Sequence, residues 1–278
     1  MKLERSSGGC KGALRVGMLA LSLLVLSALT TARAETTLRM LQMNLCNSGL
    51  AGCYQGGKAV TEAYSKIAAQ RPDIVTLNEI CSGDVQQLWL AMQAVWPGQV
   101  GDDVRGKALA FKPAFNASTD QNYKCANGQE FGNGILWRST EPTGPRASGI
   151  YTNQDTGVEK RSWQCVQIMP NGPYACTTHL SAASEPVALA QCRELMGSVA
   201  AGTGNGALPA VIGGDFNLEY DTSDPENVQL CVPSGYYRKG DGDVQHWIVS
   251  SKLTFVSRTS IGMSYTDHPA FLLIAKMP

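Results

Sequence analysis

Polar side chains that could do chemistry follow several apolar runs of this chain. The most distinctive stretch is Gly213-Gly214-Asp215-Phe216-Asn217, which comes after Ala210-Val211-Ile212. The apolar run predicts a short buried strand, and the two glycines predict a tight exit from it. Side chains two residues apart at a strand end point the same way, so Asp215 and Asn217 could share one site. A carboxylate beside an amide suits a site that orients a water molecule and donates to an anion; an ordinary turn is the alternative.

Partners for this pair stand at the ends of other predicted strands. They are Asn44, Glu79, His179, Asp267 and His268. These positions meet at one edge if the strands pack as two facing sheets. Carboxylates, amides and two histidines, without a serine nucleophile motif, favour metal-assisted hydrolysis of a phosphate ester. Oxygen ligands from Glu79, Asp267 and the Asn44 amide favour Mg²⁺ over Zn²⁺, with Mn²⁺ or Ca²⁺ as alternatives.

The elements between these positions predict one α/β sandwich without an internal domain boundary. Apolar residues recur with helical spacing over Lys58 to Gln70, Asp84 to Val95 and Glu185 to Ala200. The predicted strands are Thr37 to Asn44, Ile74 to Glu79, Ala108 to Lys112, Gly134 to Arg138, Arg161 to Met169, Tyr174 to Leu180, Ala210 to Ile212, Val244 to Ser250, Leu253 to Arg258 and Pro269 to Lys276. Residues 98 to 132 otherwise predict a long surface loop.

Residues 1–34 predict a secretory signal peptide. A basic leader precedes the apolar run Met18 to Thr30, and Ala32-Arg33-Ala34 fits an A-x-A cleavage site. The apolar run is shorter than the roughly 20 residues of a membrane span, which favours cleavage over an uncleaved anchor. We therefore expect a secreted protein, extracellular or periplasmic, whose mature chain is one domain over residues 35–278.

The charge of the predicted mature chain excludes a polycation. The sequence has 23 basic and 23 acidic residues, and the predicted leader holds five of the basic and one of the acidic ones. The remainder therefore has a formal charge of −4. A nucleic acid partner would have to be held by a local basic patch or through a metal, rather than by the overall field.

Eight of the nine cysteines lie in the predicted mature chain, and an even number in an exported protein indicates disulfides. They are Cys46, Cys53, Cys81, Cys125, Cys165, Cys176, Cys192 and Cys231. A Cys46–Cys53 bond would close a small loop, and a Cys165–Cys176 bond would cross-link a hairpin. Sequence alone leaves the pairing open, because eight cysteines allow 105 connectivities. A zinc cluster is the weaker alternative, since the cysteines form no close CxxC pair.

Five stretches, taken in order, resemble the endonuclease/exonuclease/phosphatase superfamily, which includes pancreatic-type deoxyribonuclease, abasic-site endonucleases, the nuclease subunit of cytolethal distending toxin and neutral sphingomyelinases. They are Leu41-Gln42-Met43-Asn44, Pro72-Asp73-Ile74-Val75-Thr76-Leu77-Asn78-Glu79, Thr177-Thr178-His179-Leu180, Gly213-Gly214-Asp215-Phe216-Asn217 and Thr266-Asp267-His268. The resemblance spans nearly the whole predicted mature chain. It implies a deoxyribonuclease I-like fold, a four-layer α/β/β/α sandwich of two mostly antiparallel sheets, and a phosphoesterase that uses one or two metal ions.

The resemblance also implies a role for each motif residue. Glu79 would be the principal metal ligand, helped by Asn44 and Asp267. Asp215 would orient or deprotonate the attacking water. The residues that would donate to the phosphate or transfer protons are Asn217, His179 and His268. Arg161 stands roughly where family members carry a phosphate-contacting arginine, although a solvated strand-edge arginine is an equal alternative.

One stretch departs from the family pattern. Family members carry an Asp on the strand before the final motif, where it holds the last histidine in its working tautomer. The matching stretch here is Val244-Gln245-His246-Trp247-Ile248-Val249, and His246 is assigned to that position. A histidine cannot replace a carboxylate in this task. Either His268 works with less support, or Asp243 substitutes, or His246 takes another role.

For the substrate, export, disulfides and size favour DNA hydrolysis by a monomer that needs no protein partner. Lys and Arg residues around 105 to 112 and 138 to 161 would hold phosphates. A sphingomyelinase-like phospholipase acting on membrane lipid and a small-molecule phosphatase are the enzymatic alternatives. A secreted binding module with impaired chemistry is the non-enzymatic alternative, and the His246 departure is its support.

Overall fold

The computed structural model describes residues 36–101, 107–141, 143–169 and 171–277. The predicted signal peptide and residues 105 and 106 of the predicted basic region lie outside these ranges. In chain order the elements are β1 (Thr36–Asn44), α1 (Lys58–Gln70), β2 (Ile74–Cys81), α2 (Ser82–Val95), β3 (Leu109–Pro113), β4 (Phe115–Asn116), β5 (Gln121–Asn122), β6 (Phe131–Trp137), β7 (Arg146–Ile150), β8 (Glu159–Lys160), β9 (Ser162–Gln167), β10 (Tyr174–His179), α3 (Glu185–Gly202), β11 (Ala210–Asp215), a 3-10 helix (Val228–Cys231), β12 (Tyr236–Gly240), β13 (Gln245–Ser250), β14 (Thr254–Ile261) and β15 (Ala270–Met277).

Two six-stranded sheets carry the fold. The first has the order β14-β15-β1-β2-β6-β3 and the second β12-β13-β11-β10-β9-β7, while β5-β4-β8 form a small third sheet. Within the two large sheets the pairing is antiparallel except for β1 with β2 and β10 with β11. Parallel strands end at the same edge of a sheet. The two exceptions therefore place Asn44 beside Asn78, and His179 beside Asp215.

The layers follow from where apolar side chains are buried. The inner faces of both sheets share one core, in which Ile135 of the first sheet joins Val211 and Trp247 of the second. Helices α1 and α2 bury their apolar faces on the outside of the first sheet. Helix α3 does the same on the second sheet. The result is the expected α/β/β/α sandwich of two mostly antiparallel sheets.

Gly213 and Gly214 lie inside β11, which corrects the prediction that they form a tight exit from a shorter strand. A Cβ on Gly213 would lie 2.5 Å from Thr76 Oγ1 of the facing sheet and 2.6 Å from the Trp247 ring. A Cβ on Gly214 would lie 2.2 Å from the Thr178 carbonyl oxygen. Glycine is needed here because neighbouring groups approach the backbone closely, and not because the chain turns.

The sequence predicted the long elements better than the short ones. Helix α1 has its predicted bounds, and α2 and α3 differ from theirs by two residues at one end. The predicted loop over 98 to 132 contains the two-residue strands β4 and β5 besides the predicted edge strand. Strands β7, β8 and β12 were not predicted. Strands β7 and β12 border polar or glycine-containing stretches, and two-residue strands such as β8 are too short to show an alternating pattern.

Four disulfides join all eight cysteines of the predicted mature chain: Cys46–Cys53, Cys81–Cys125, Cys165–Cys176 and Cys192–Cys231. The two pairings expected from sequence are confirmed. Cys165 and Cys176 face each other across β9 and β10, so their bond cross-links neighbouring strands. Among the described residues, no helix is long and apolar enough to cross a membrane.

Candidate active site

The centre of the site is the Asn44 amide at the end of β1. Its Nδ2 donates to Glu79 Oε1 and to Asp215 Oδ2, each at 2.9 Å. Its Oδ1 accepts the backbone N–H of Cys46 at 3.1 Å, inside the loop that the Cys46–Cys53 disulfide closes. One amide nitrogen thus brings together carboxylates from both sheets. The structure places Asn44 between them as a donor, so its amide oxygen, the predicted metal ligand, is turned toward the loop.

Glu79 owes its position to an irregularity in β2. The pairing of β2 with β6 shifts register between Leu77 and Ile80, and Glu79 has a φ of 51°. A bulge re-aims a side chain, and the left-handed conformation is strained for a residue with a Cβ. The strain sits at the residue that the sequence predicts as principal metal ligand. Asn217 is in the same region of backbone space, with a φ of 48°.

Burial of the two carboxylates creates a need for a cation. Desolvation raises the pKa of Glu79 and of Asp215, although the Asn44 amide opposes the shift at both. Buried carboxylates are costly unless paired or bound to a metal. Glu79 keeps one fifth of its side chain exposed, so it is open to a ligand. These oxygen donors fit a hard divalent ion that retains waters and takes further ligands from a phosphate, as Mg²⁺ does.

Two groups of three potential ligand side chains occur in the described residues. One is Cys46, Cys53 and Asp267, but both cysteines are in a disulfide. The other is the exposed or half-exposed trio Glu185, Asp224 and Glu226. Neither includes Glu79, so the site at Glu79 would depend on water and substrate oxygens to complete the coordination of an ion.

His179 and Arg161 form the wall of the site next to Glu79. His179 Nε2 is 3.8 Å from Glu79 Oε1, and an Arg161 N–H donates to His179 Nδ1 at 2.6 Å. Arg161 also pairs with Glu159 at 3.1 Å. Burial, and then the charge of Arg161, hold the pKa of His179 well below its usual value of 6.5. His179 is therefore a neutral imidazole at neutral pH, able to accept from the arginine.

The opposite wall is formed by the final motif. His268 Nε2 lies 3.5 Å from Asp215 Oδ2 and 3.9 Å from Asp267 Oδ1. Thr266 Oγ1 donates to the Asn44 carbonyl at 3.0 Å, which ties this loop to the end of β1. Asp267 is more than half exposed. The predicted ligand Asp267 thus lies at the rim, while His268 lies next to the buried Asp215.

Asn217 is held by the strand end itself. Its backbone N–H donates to Asp215 Oδ1 at 3.1 Å, and its Nδ2 donates to the Leu180 carbonyl at 3.0 Å. The primary amide carries two N–H donors, and this contact uses one of them.

The structure therefore brings together at one edge of the sandwich the predicted set of Asn44, Glu79, Arg161, His179, Asp215, Asn217, Asp267 and His268.

Asn78, which the sequence reasoning passed over, is the hub behind this set. Its Oδ1 accepts Gln42 Nε2 at 2.6 Å and the Asp215 N–H at 2.9 Å. Its Nδ2 donates to Asn133 Oδ1 and to the Thr178 carbonyl, each at 2.8 Å. Asn78 is fully buried and joins strands of both sheets. A polar residue inside the predicted apolar strand, directly before Glu79, was the signal that could have found it.

Strand register corrects the assignment of His246 as the residue behind His268. Gln245 pairs opposite Asp215, and its Nε2 donates at 2.6 Å to the carbonyl of Pro269, the residue after His268. His246 points to the other face of β13, where its Nε2 contacts the Leu218 carbonyl at 2.8 Å. Side chains alternate along a strand, so a register error of one residue moves the side chain to the opposite face. Asp243 is exposed and lines a cavity together with His246.

The buried His246 predicts acid-sensitive stability. Burial lowers its pKa to about 3, against 6.5 in an unfolded chain. Below pH 6.5 the unfolded chain therefore binds a proton at His246 and the folded protein does not. The contribution of the neutral His246 to the free energy of unfolding is present above pH 6.5 and is lost as the pH falls toward 3. Each pH unit in that window costs about 1.4 kcal/mol.

His246→Gln removes this titration and keeps an amide for Leu218. We expect the free energy of unfolding of the wild type to fall by roughly 2 kcal/mol more than that of the variant between pH 6.5 and pH 5. Urea denaturation at both pH values, with chelator present, measures the difference, and the contribution of His179 cancels because both proteins contain it. Parallel losses in the two proteins would contradict the buried neutral state of His246.

The sandwich and its site define a class, the metal-dependent phosphoesterases of deoxyribonuclease I-like fold. Comparison with known families supports this directly, since the model of the Endonuclease/Exonuclease/phosphatase family matches residues 44–266. That range covers most of the chain and includes the three middle motifs, with Asn44 and Thr266 at its two ends. The chain belongs to this family, whose members are phosphoesterase hydrolases. A search of curated proteins found no match.

Solved structures are similar in fold at low sequence identity. A family protein from Beutenbergia cavernae is 17% identical, with a TM-score of 0.62, over 87% of this chain and 72% of that one. A Bacteroides thetaiotaomicron family protein is 12% identical, with a TM-score of 0.60, over 88% of this chain and 100% of that one. The human Nocturnin catalytic domain, solved with a bound sulfate anion, is 16% identical, with a TM-score of 0.59, over 87% and 96%.

Proposed function

We propose that this chain is an exported, Mg²⁺-dependent endonuclease that hydrolyses phosphodiester bonds of DNA. The supporting observation is the pair of buried carboxylates, Glu79 and Asp215, that share the Asn44 Nδ2 and are flanked by the imidazoles of His179 and His268. Such a pair has no use in a pure binding module, because burying two acids without a cation opposes folding.

The position of each residue in the site indicates its role in the proposed reaction. Glu79, with Asp267 at the rim, would hold the ion, which when bound polarises the phosphate oxygens and neutralises developing charge. Asp215 has a raised pKa, which makes its carboxylate a better base toward a water molecule. His268, beside Asp215, is placed to exchange a proton with it. Arg161 and His179 line the Glu79 side, where their N–H groups can donate to a phosphate.

DNA is favoured as the substrate by predicted export and by cations at the site. Arg161 is in the site, and Lys160 precedes it with its Nζ on the Asp155 carbonyl at 2.8 Å. A second candidate is a phospholipid. A cavity of about 250 Å³ beside Glu79 has Leu50 at its rim, and 59% of Leu50 is exposed. An exposed apolar side chain beside the reacting centre could contact a lipid surface.

A side-by-side assay separates these functions. Purified protein is given double-stranded DNA, sphingomyelin vesicles or bis(p-nitrophenyl) phosphate, each with Mg²⁺, Mn²⁺, Ca²⁺ or EDTA. We expect hydrolysis of DNA with Mg²⁺ and none with EDTA. Faster hydrolysis of sphingomyelin than of DNA would select the second candidate, and absence of hydrolysis of all three would overturn the enzyme proposal. Glu79→Gln, purified in the same way, controls for contaminating nucleases.

A further inference from the structure

A second cationic cavity, of about 440 Å³, opens between the end of β12 and the edge strand β14. Its cations are Arg238, Lys239 and Arg258, and its aromatic rings are Tyr220 and Phe255. None of these belongs to the motifs of the active site. The cavity lies at the edges of the two sheets, where β12 and β14 are the outermost strands.

The cations around this cavity are held in place before any ligand binds. The Arg238 guanidinium lies 4.1 Å from the centre of the Tyr220 ring, and the Lys239 ammonium 4.4 Å from that of Phe255. Arg258 donates to the Gly240 carbonyl at 2.5 Å. Positioned side chains lose little further freedom on binding, so they favour a ligand more than free surface lysines do.

Arg238 lacks hydrogen-bond acceptors for part of its guanidinium in this arrangement. One N–H donates to His246 Nδ1 at 3.1 Å, while the buried Nε has no hydrogen-bond partner in the described part of the chain. Burial, together with the positive charge of Arg258, lowers the pKa of Arg238. A partly buried guanidinium with few protein partners is stabilised by an anion near its charge, because an ionised acceptor makes the stronger hydrogen bond.

Two acids at the cavity do not cancel its attraction for an anion. Glu219 and Asp243 line it, but both are exposed, whereas Arg238 and Lys239 are half-buried. Water and salt screen exposed charges over about 8–10 Å, and buried charges much less. The three cations also outnumber the two acids.

The cavity adjoins the active site through neighbouring residues. Phe216 lies between Asp215 and Asn217, and its ring packs edge-on against His246, 5.6 Å between centres. His246 lines the cavity on its other side. The cavity and the active site are therefore one residue apart along β13, where Gln245 pairs with Asp215 and the adjacent His246 lines the cavity.

We propose that this cavity is a second phosphate-binding subsite, which holds a backbone phosphate of a polynucleotide at a distance from the bond being cleaved. Arg238 and Arg258 contact the phosphate, and the exposed face of Tyr220 stacks on a neighbouring base. This inference rests on the proposed DNA substrate. It assigns to the chain a local basic patch that its formal charge does not provide.

Kinetics with a long and a short substrate test the subsite. Arg238→Gln is expected to raise KM for a 12-nucleotide duplex roughly tenfold and to reduce the slope of log(kcat/KM) against log salt by about 1. Its kcat/KM for bis(p-nitrophenyl) phosphate is expected to be unchanged, because that small diester fills only the catalytic centre. Arg258→Gln, at an exposed position, should repeat the effect if Arg238→Gln lowers Tm. Arg193→Gln, an exposed arginine of α3, is the matched control and should behave as wild type.

Several results would overturn the subsite. Unchanged duplex KM and salt slope in Arg238→Gln and Arg258→Gln would do so, as would an equal loss on both substrates, which indicates a structural role. Inhibition by inorganic phosphate that disappears in Arg238→Gln while duplex KM stays constant would assign the cavity to a free anion instead. If the wild type cleaves the small diester but no duplex, the DNA proposal fails and the subsite with it.

Discussion

Glu79→Gln is expected to abolish hydrolysis and, at neutral pH, to raise the thermal stability of the metal-free protein. The carboxylate is desolvated beside Asp215, and both facts raise its pKa. For an acid, a raised folded pKa means that stability is complete below the unfolded pKa and is lost as pH rises through the folded pKa. At pH 7 the ionised Glu79 therefore destabilises the fold.

Glutamine keeps the useful contact and removes the charge. Its Oε1 can still accept Asn44 Nδ2, as the Glu79 Oε1 does at 2.9 Å. Without the carboxylate, the ion loses its principal predicted ligand, and we expect kcat/KM to fall about 10³-fold or more. About 1 kcal/mol of relieved strain would raise Tm by roughly 2–4 °C in a domain of this size.

Thermal denaturation at pH 7, measured once with EDTA and once with millimolar Mg²⁺, checks both the higher stability of the variant and its loss of metal binding. The wild type should gain stability from Mg²⁺, since a ligand that binds only the folded state stabilises it. Glu79→Gln should have a higher Tm than the wild type in EDTA, and Mg²⁺ should raise that Tm only a little. Glu141→Gln, at an exposed glutamate, is the control and should match wild type. An equal Mg²⁺-induced gain in wild type and Glu79→Gln would remove Glu79 from the metal site.

The sequence predicted where the candidate residues lie when their position at a strand end decides it. Asn44, His179 and Asp215 end their strands, and the topology brings those ends together. Glu79 is different, because a bulge and a left-handed backbone aim its side chain. Neither is visible in the order of residue types. The motif pointed to Glu79 as a candidate, while the backbone strain that aims its side chain could not be predicted.

The face of the sheet to which a strand side chain points was harder to predict from the sequence. Gln245 and His246 are adjacent, and a shift of one residue exchanges the inner and outer faces of β13. The run from Gln245 to Ser250 is buried at every position, so no polar and apolar alternation marks the inner face. The prediction for the two glycines of β11 was wrong for a related reason, since the close approach of Thr76 from the facing sheet and of Trp247 from the neighbouring strand depends on the tertiary packing.

Asn78→Ala is expected to lower both stability and turnover, because Asn78 joins the fold to the site. The change leaves the Asp215 N–H, Gln42 Nε2 and the Thr178 carbonyl without their partner, together with Asn133 Oδ1. Buried groups left unpaired cost about 1–3 kcal/mol each before relaxation. We expect the free energy of unfolding to fall by roughly 3–5 kcal/mol, the size typical of a broken buried network.

Turnover should fall because the Asn78 side chain fixes the backbone of Asp215. A small displacement of a catalytic carboxylate can lower a rate by about 100-fold, so we expect kcat to drop by roughly 10–100-fold while KM changes little. Urea denaturation and kinetics, both well below Tm, separate this from simple unfolding. Asn127→Ala, at an exposed asparagine, is the control. If stability is lost and kcat is unchanged, Asn78 has a structural role only, because its hydrogen bond to Asp215 then has no effect on the rate of hydrolysis.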